Sequence, residues 1–502
     1  MRNPRQTRLT QPLLAAVLAA AASGCVSHAS RLSRIKADIA LPNYAVNTNA
    51  APFRASDVAG SDKILALSER ARAYQLTGEI EKSMGDYLAA EAAYDALDDK
   101  PVVSISDVAG KGVAGTIGND TMLPYEGNAH ERLMLYQLDA FNHISLGDWN
   151  GARAAANNIV YLSEKARARR DATVKAAEEA AAADGRFSMA ALSSNQTFRS
   201  AFFASDEAAR PFIDALQNGY AYYFSAFVRE TDGDYPSALI GYRRVAELAP
   251  KNSFVRRDIA RLETLAAGRA ASAGRAPAPP NVLVFFEEGF APELQSFTVS
   301  FATIPAGHHQ TVGAASAGNG ANAPSVPLIL PTGTPITAKF SLPYYSKEQL
   351  DVPPTPLVVS DGETAAVTEL AGDFRALAAR AFREKLPYVA TRAAIRSIVK
   401  ATAAAVANYA AKDRDGLTRF AALAGGLILT QLTETADLRT WLLAPRYGQV
   451  ARWRSAPGPR DFTFTHSGLA GTVSTEVPAS GTLLFHVMSV PGRLVVDHSV
   501  IP

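Results

Sequence analysis

Apolar positions change their spacing three times along the chain. From about residue 55 to about residue 268 they recur at helical intervals, which predicts a helical region. At Val282-Leu283-Val284-Phe285-Phe286 the pattern becomes a short continuous apolar run and reads as a buried strand. Phe297, Val299 and Phe301 alternate with smaller or polar residues, and Ala338 to Leu342 gives another short strand. Helical spacing returns from about 370 to 445, with amphipathic helices at Ala376–Phe382 and Val389–Ala411. Leu417 to Leu432 is strongly apolar, but its core is too short for a bilayer span and is expected to be a buried helix. Strand patterns resume after Gln449, at Phe462–Thr465 and Gly481–Val487. These terminal strands are expected to complete the sheet begun at Val282.

Within the first helical region, three stretches share one template. Gly85-Asp86-Tyr87, Gly147-Asp148-Trp149 and Gly233-Asp234-Tyr235 are each followed three residues later by alanine, then by a further position four on. The template resembles the inter-helix turn of a tetratricopeptide repeat (TPR). Glycine gives the turn its backbone freedom, aspartate can cap the following helix, and the aromatic residue wedges between the two helices. The third copy continues to Ala246, Leu248, Ala249 and Pro250, with proline as a helix stop. The copies are not spaced at the regular period of a repeat array, so an interrupted array is expected. The fold class predicted is therefore α+β multidomain, with an N-terminal TPR-like α-helical array followed by a β-rich domain with inserted helices.

The N-terminus carries an export pattern. Arg2, Arg5 and Arg8 precede an apolar stretch from Leu13 to Ala22, and Ala22-Ser23-Gly24 leads into Cys25. A cysteine directly after small residues resembles the bacterial lipobox, although Ala22 stands where leucine is usual. Cys25 is the chain's one cysteine, so it can form no internal disulfide. The expected organisation is a signal peptide over 1–24, a polar tether over 25–54 starting at a lipidated Cys25, and a TPR-like helical domain over 55–268. A linker over 269–280 and a mixed domain over 281–502 complete the chain. The mixed domain divides into β-rich 281–369, helical 370–445 and β-rich 446–502. Val26, where aspartate would favour retention, points by analogy to the outer membrane.

Composition adds mainly exclusions. A formal charge of +2 over 502 residues lacks the basic excess of a dedicated nucleic-acid binder, so no nucleic-acid partner is expected. Gly110-Lys111-Gly112-Val113-Ala114-Gly115 matches G-x-G-x-x-G, but Thr116 to Pro124 is too rich in helix breakers for a dinucleotide site, and the stretch reads as a loop. His308-His309 reads as a loop pair. No zinc-ligand spacing, nucleophile elbow or nucleophile–base spacing is recognisable, so no catalytic residue, metal or cofactor is expected. Ser163 to Asp184 is highly charged and reads as a solvated helix.

Two charged groups are candidate partner-binding sites. Glu287, Glu288 and Glu293 form an acidic turn after the Val282 strand, where carboxylates more often solvate a corner than act on a substrate. Arg392, Arg396 and Lys400 stack on one helix face at intervals of four. Asp437 and Arg439, near Trp441, are expected to make a structural ion pair.

Several stretches together resemble a family of uncharacterised bacterial lipoproteins with TPR-like helices. They are Pro124–Gly127 with His130–Leu133, Val284–Glu293, Leu386-Pro387 with Thr391–Ala393 and Ile398–Ala401, and Ala436–Trp441. The resemblance implies an architecture and a location but no reaction. The function expected is a membrane-anchored, non-enzymatic TPR-type interaction scaffold at the periplasmic face of the outer membrane. Its partners would be the lipid bilayer, through an acylated Cys25, and other envelope proteins. The alternative is a peptidoglycan- or glycan-associated binding protein that uses the β-rich part.

Overall fold

The computed structural model describes residues 27–41, 43–99, 120–184, 189–266, 279–303, 325–328, 337–410 and 435–502. The signal segment with Cys25, the Gly110–Gly115 loop, His308-His309, residues 267–278 of the linker region and Leu417–Leu432 lie outside the described residues. The chain is mixed α and β, with helices in its N-terminal half and sheets in its C-terminal half.

Among the described residues, the helices of the first half are α1 (His28–Ile39), α2 (Ala55–Val58), α3 (Lys63–Thr77), α4 (Ile80–Asp98), α5 (Ala129–Ser145) and α6 (Trp149–Asp184). They continue with α7 (Met189–Ser194), α8 (Gln196–Ala209), α9 (Gly219–Thr231), α10 (Tyr235–Leu248) and α11 (Ser253–Ala266). Three hairpins stand out among the described residues: α3/α4, α5/α6 and α9/α10. Each turns on a glycine in the left-handed region: Gly78 (φ 82), Gly147 (φ 72) and Gly233 (φ 77). Asp148 accepts from the Gly151 N–H at 2.9 Å, and Asp234 from the Ser237 N–H at 3.2 Å, so both aspartates cap the helix after the turn.

The first template copy is a correction. Gly85-Asp86-Tyr87 lies inside α4, and the turn sits at Gly78. The spacing that matched there is the buried stripe of one helix, in which Tyr87, Ala90 and Tyr94 all face the core. Asp86 is held by Arg70 through two 2.6 Å hydrogen bonds.

The tether is a second correction. Ser27 caps α1, and Leu32, Ile35 and Ile39 pack against Phe53, Leu76, Phe290, Leu442 and Met488. An amphipathic helix with three buried aliphatic side chains is stabilised by burial that a polar tether would lack.

The strands are β1 (Val282–Glu288), β2 (Gln295–Thr303), β3 (Ser325–Leu328), β4 (Thr337–Tyr344), β5 (Val358–Ser360) and β6 (Ala365–Val367). After them come β7 (Glu369–Asp373), β8 (Tyr447–Trp453), β9 (Gly458–His466), β10 (Leu469–Val477), β11 (Thr482–Val490) and β12 (Arg493–Ile501). The central sheet has the order β12-β11-β1-β8-β7. β1 runs parallel to β11 and antiparallel to β8, so Gly481–Val487 does join the sheet that begins at Val282, whereas Phe462–Thr465 lies on β9 in a second sheet, a correction of the expectation for that strand. Between β7 and β8 the chain departs into the long helix α13 (Phe374–Ala410), which carries Pro387 inside it. The short α12 (Lys347–Leu350) precedes β5.

Sheet β10-β9-β5-β6 covers one face of the central sheet, and the helices cover the other. Val282, Val284 and Phe286 meet the second sheet, whereas Leu283 and Phe285 meet the helices. This double cover explains why β1 is apolar at consecutive positions and does not alternate. The Phe285 ring lies 5.2–5.8 Å from the rings of Phe141, Tyr220, Tyr223 and Phe224, so the helical and β-rich parts share one core. The third sheet, β3-β2-β4, packs with α8 and α13 in a separate apolar cluster. No helix among the described residues is long and apolar enough to cross a membrane.

Gly448, on β8, admits the Tyr220 ring: a Cβ there would sit 2.6 Å from the ring's Cγ. Gly448→Ala is expected to destabilise the fold by about 1–3 kcal/mol through overpacking, read as a lower denaturant midpoint. His143, at the α5/α6 turn, has its ring between Asp139 (3.4 Å) and Asp148 (2.8 Å). The hydrogen bond to Asp139 is the largest influence and, with Asp148, outweighs burial, so the imidazole is pushed up from 6.5 to about 9. A raised folded-state value means that this stabilisation is fully present below pH 6.5 and is lost as pH rises through about 9. His143→Gln should flatten that fall, measured as unfolding midpoints between about pH 6 and about pH 9.5.

Candidate functional site

The central sheet carries polar side chains on its helix-facing side, and burial forces them to pair internally. Arg452 on β8 is 4 % exposed and reaches Glu230 of α9 at 2.8 and 2.9 Å and Asp258 of α11 at 3.1 Å. Arg261 adds bonds of 2.7 Å to Glu230 and 3.0 Å to Asp258, and Tyr223 donates to Asp258 at 2.7 Å. Burial raises the Glu230 carboxyl, but Arg452 and Arg261 outweigh it and hold it down to about 2.

A second latch joins β1 and β11 to α3. Arg72 contacts Glu287 at 2.6 Å, and the His486 ring lies 3.0 Å from the other oxygen of the same carboxylate. The His486 ring also stacks on Phe141 at 4.1 Å. Arg72 donates to Gln75, Gln75 to Asn142, and Asn142 to Ser83, which carries the network through three helices. A third latch is Glu131, which accepts from Tyr125, the Asn128 N–H, Thr440 and the Trp441 N–H. Glu69 in turn accepts from the Leu442 and Leu443 N–H groups and contacts His28.

These latches correct both candidate partner-binding groups. Glu287 is not on an exposed turn; it is 1 % exposed and committed to Arg72 and His486. Glu288 accepts from the Thr355 N–H and from Gln449, and Glu293 pairs with Lys36 at 2.9 Å. Strand alternation decides this: Glu287 and Leu283 share the face that meets the helices. The basic stripe turns inward as well. Arg392 and Arg396 both bind Asp120, at 3.1 and 2.7 Å, and Lys400 is 4 % exposed. Asp437 and Arg439 do form a short-range ion pair at 2.6 Å, beside the buried Trp441. Sequence reasoning missed Arg72, Glu69, Glu230, Asp258 and Arg452. Among the latch residues, only Asn128-x-x-Glu131 had a local signature, a capping box.

Among the described residues, a cleft opens among the end of α4, the start of α5, the middle of α6 and α13. It has a volume of about 60 Å³, with Tyr94, Leu97, Val174 and Ala381 among its apolar walls. The charged run on α6 is therefore not wholly solvated. Arg169 donates to the Leu97 carbonyl at 2.8 Å, and Arg170 lies 3.5 Å from Glu384 of α13. Arg132 is gripped by Asp98 at 2.8 and 3.0 Å. Lys385 donates to the Gly127 carbonyl at 2.7 Å and to Asn128 Oδ1 at 3.0 Å. Burial lowers its ammonium below the ordinary range despite the nearby acids. No group of histidine, cysteine and carboxylate side chains that could hold a metal occurs among the described residues.

Comparison with family models, curated proteins and solved structures finds no match to this chain.

Arg452→Met is expected to leave Asp258 and Glu230 under-compensated in a buried layer, at about 3–5 kcal/mol. Glu230 in the wild type has a depressed folded-state value, so its contribution is present above pH 4.5 and disappears as pH falls through about 2. The variant should show a lower urea midpoint at neutral pH and a shallower acid loss between pH 4.5 and about 2.

Proposed function

We propose that the protein is a lipid-anchored, non-enzymatic scaffold of the bacterial cell envelope. In this reading Cys25 carries the lipid, the body lies at the periplasmic face of the outer membrane, and TPR-like helix pairs hold envelope partners. The observation that carries the reading is that the chain is already packed into the fold two residues after Cys25. Ser27 already caps α1, and α1 is fastened to both halves of the molecule through His28, Leu32, Ile35 and Ile39. Two residues of extended chain span at most about 7 Å. An acylated Cys25 would therefore hold a rigid body directly against the bilayer, without slack.

The glycine turns at Gly147 and Gly233, with capping aspartates and buried small residues at Ala152 and Ala238, support the TPR-like reading of α5/α6 and α9/α10. The inner side of these helices is filled by the chain's own sheet, so partners would meet the outer faces of the hairpins and not an open superhelical groove. The glycan-binding alternative draws little from the β-rich part: Phe462 and Phe464 of β9 are buried in the sandwich, and the acidic residues it would need are paired internally.

Membrane fractionation with mass spectrometry of the mature N-terminus tests the anchor. The expected result is an acylated Cys25 at the N-terminus and a Cys25→Ser chain that moves to the soluble fraction. An unmodified N-terminus, or a Cys25→Ser chain still sedimenting with membranes, would overturn the reading.

A further inference from the structure

We infer that the cleft around Lys385 binds a monoanionic carboxylate carried on a short apolar body. The charge inventory carries the inference. Arg132 is matched by Asp98, Arg169 by Glu126 at 3.3 Å, and Arg170 by Glu384. Lys385 has two neutral oxygen acceptors and no carboxylate at ion-pair distance among the described residues. A recessed ammonium has three protons to place, and two are accounted for. Glu131, Glu126 and Asp437 act on this ammonium only from beyond ion-pair distance, so its burial is a cost that an anion in direct contact would offset.

Two further features point the same way. Arg132 lines the cleft with its side chain 4 % exposed, and its Nε has no hydrogen-bond partner. Asn128 and Ala129 place the N-terminus of the 17-residue helix α5 at the same wall, where the helix dipole favours negative charge. The size and lining select within the anions. One unmatched positive charge suits a single negative charge, and a dianionic phosphate would leave charge over. Leu97, Val174 and Ala381 offer contact to a few carbon atoms. The shared chemistry fits a free short-chain acid or the carboxyl end of a peptide.

This inference does not depend on the lipid anchor. Saturation-transfer NMR and calorimetry on the folded chain at neutral pH would test it, with butyrate, N-acetyl-alanine and inorganic phosphate as probes. Saturable binding of a carboxylate probe, weakened at least tenfold by Lys385→Gln, is expected. Thr173→Trp keeps Lys385 but fills the cleft, and should abolish binding without moving the unfolding midpoint by more than a few degrees. Tighter binding of N-acetyl-alanine would assign a peptide carboxyl, and tighter binding of butyrate a free acid. Absence of saturation, unchanged affinity in the folded Thr173→Trp chain, or phosphate binding as tightly as either carboxylate would sink the proposal.

Discussion

The inner strands β11, β1 and β8 of the central sheet are covered on both faces, and most of the structure depends on that constraint. A strand with no solvent-facing side cannot send its polar side chains to water. Glu287, Gln449, Arg452 and His486 must each find a partner within the protein. They find them mainly on the helices, at Arg72, Glu230 and Asp258, or on a neighbouring strand. The sheet is thereby fixed to the helical layer in one orientation, since an ion pair is specific in position where apolar contact is not. Burial of the Phe285 cluster supplies stabilisation, and the charged latches select the docking.

The same constraint separates the buried polar groups from the candidate ligand site. The latches at Glu287 and Glu230 are compensated charges in a buried layer, with carboxyls held below their usual range by arginines. Such groups are poorly placed to act on a ligand, because they are closed off and already paired. The Lys385 cleft differs on both counts. It opens between helices, and among the described residues its lysine donates to two neutral oxygens. Among the described residues the buried ion pairs tie the layers of the fold together, whereas the proposed ligand cleft lies between helices.

The helical half also reads differently once the sheet is in place. Hairpins on Gly78, Gly147 and Gly233 would leave an apolar inner face if they stood alone. Tyr220, Tyr223 and Phe224 commit that face to Phe285. Any scaffold role, as proposed, has to use the outer surface. Helix α1 ties residues 28–39 to both layers, which would make an anchor at Cys25 continuous with the packed body.

Local patterns sufficed for some of the elements but not for helix α1, which the sequence alone suggested was a polar tether. The apolar run at Val282–Phe286, the alternation at Phe297–Phe301 and the glycine turns at Gly147 and Gly233 each act over a few residues, so each was legible in the chain. They also misled where two structures share one pattern: Gly85-Asp86-Tyr87 matched a turn because a helical stripe has the same spacing. The identity of the partners was decided only in three dimensions. Arg72 and Glu287, or Glu230 and Arg452, stand hundreds of residues apart, and nothing in the spacing of either says which face it shares with the other. Strand order and helix docking decide that, because burial makes pairing obligatory but leaves the choice of partner to whichever opposite charge the packing brings within reach.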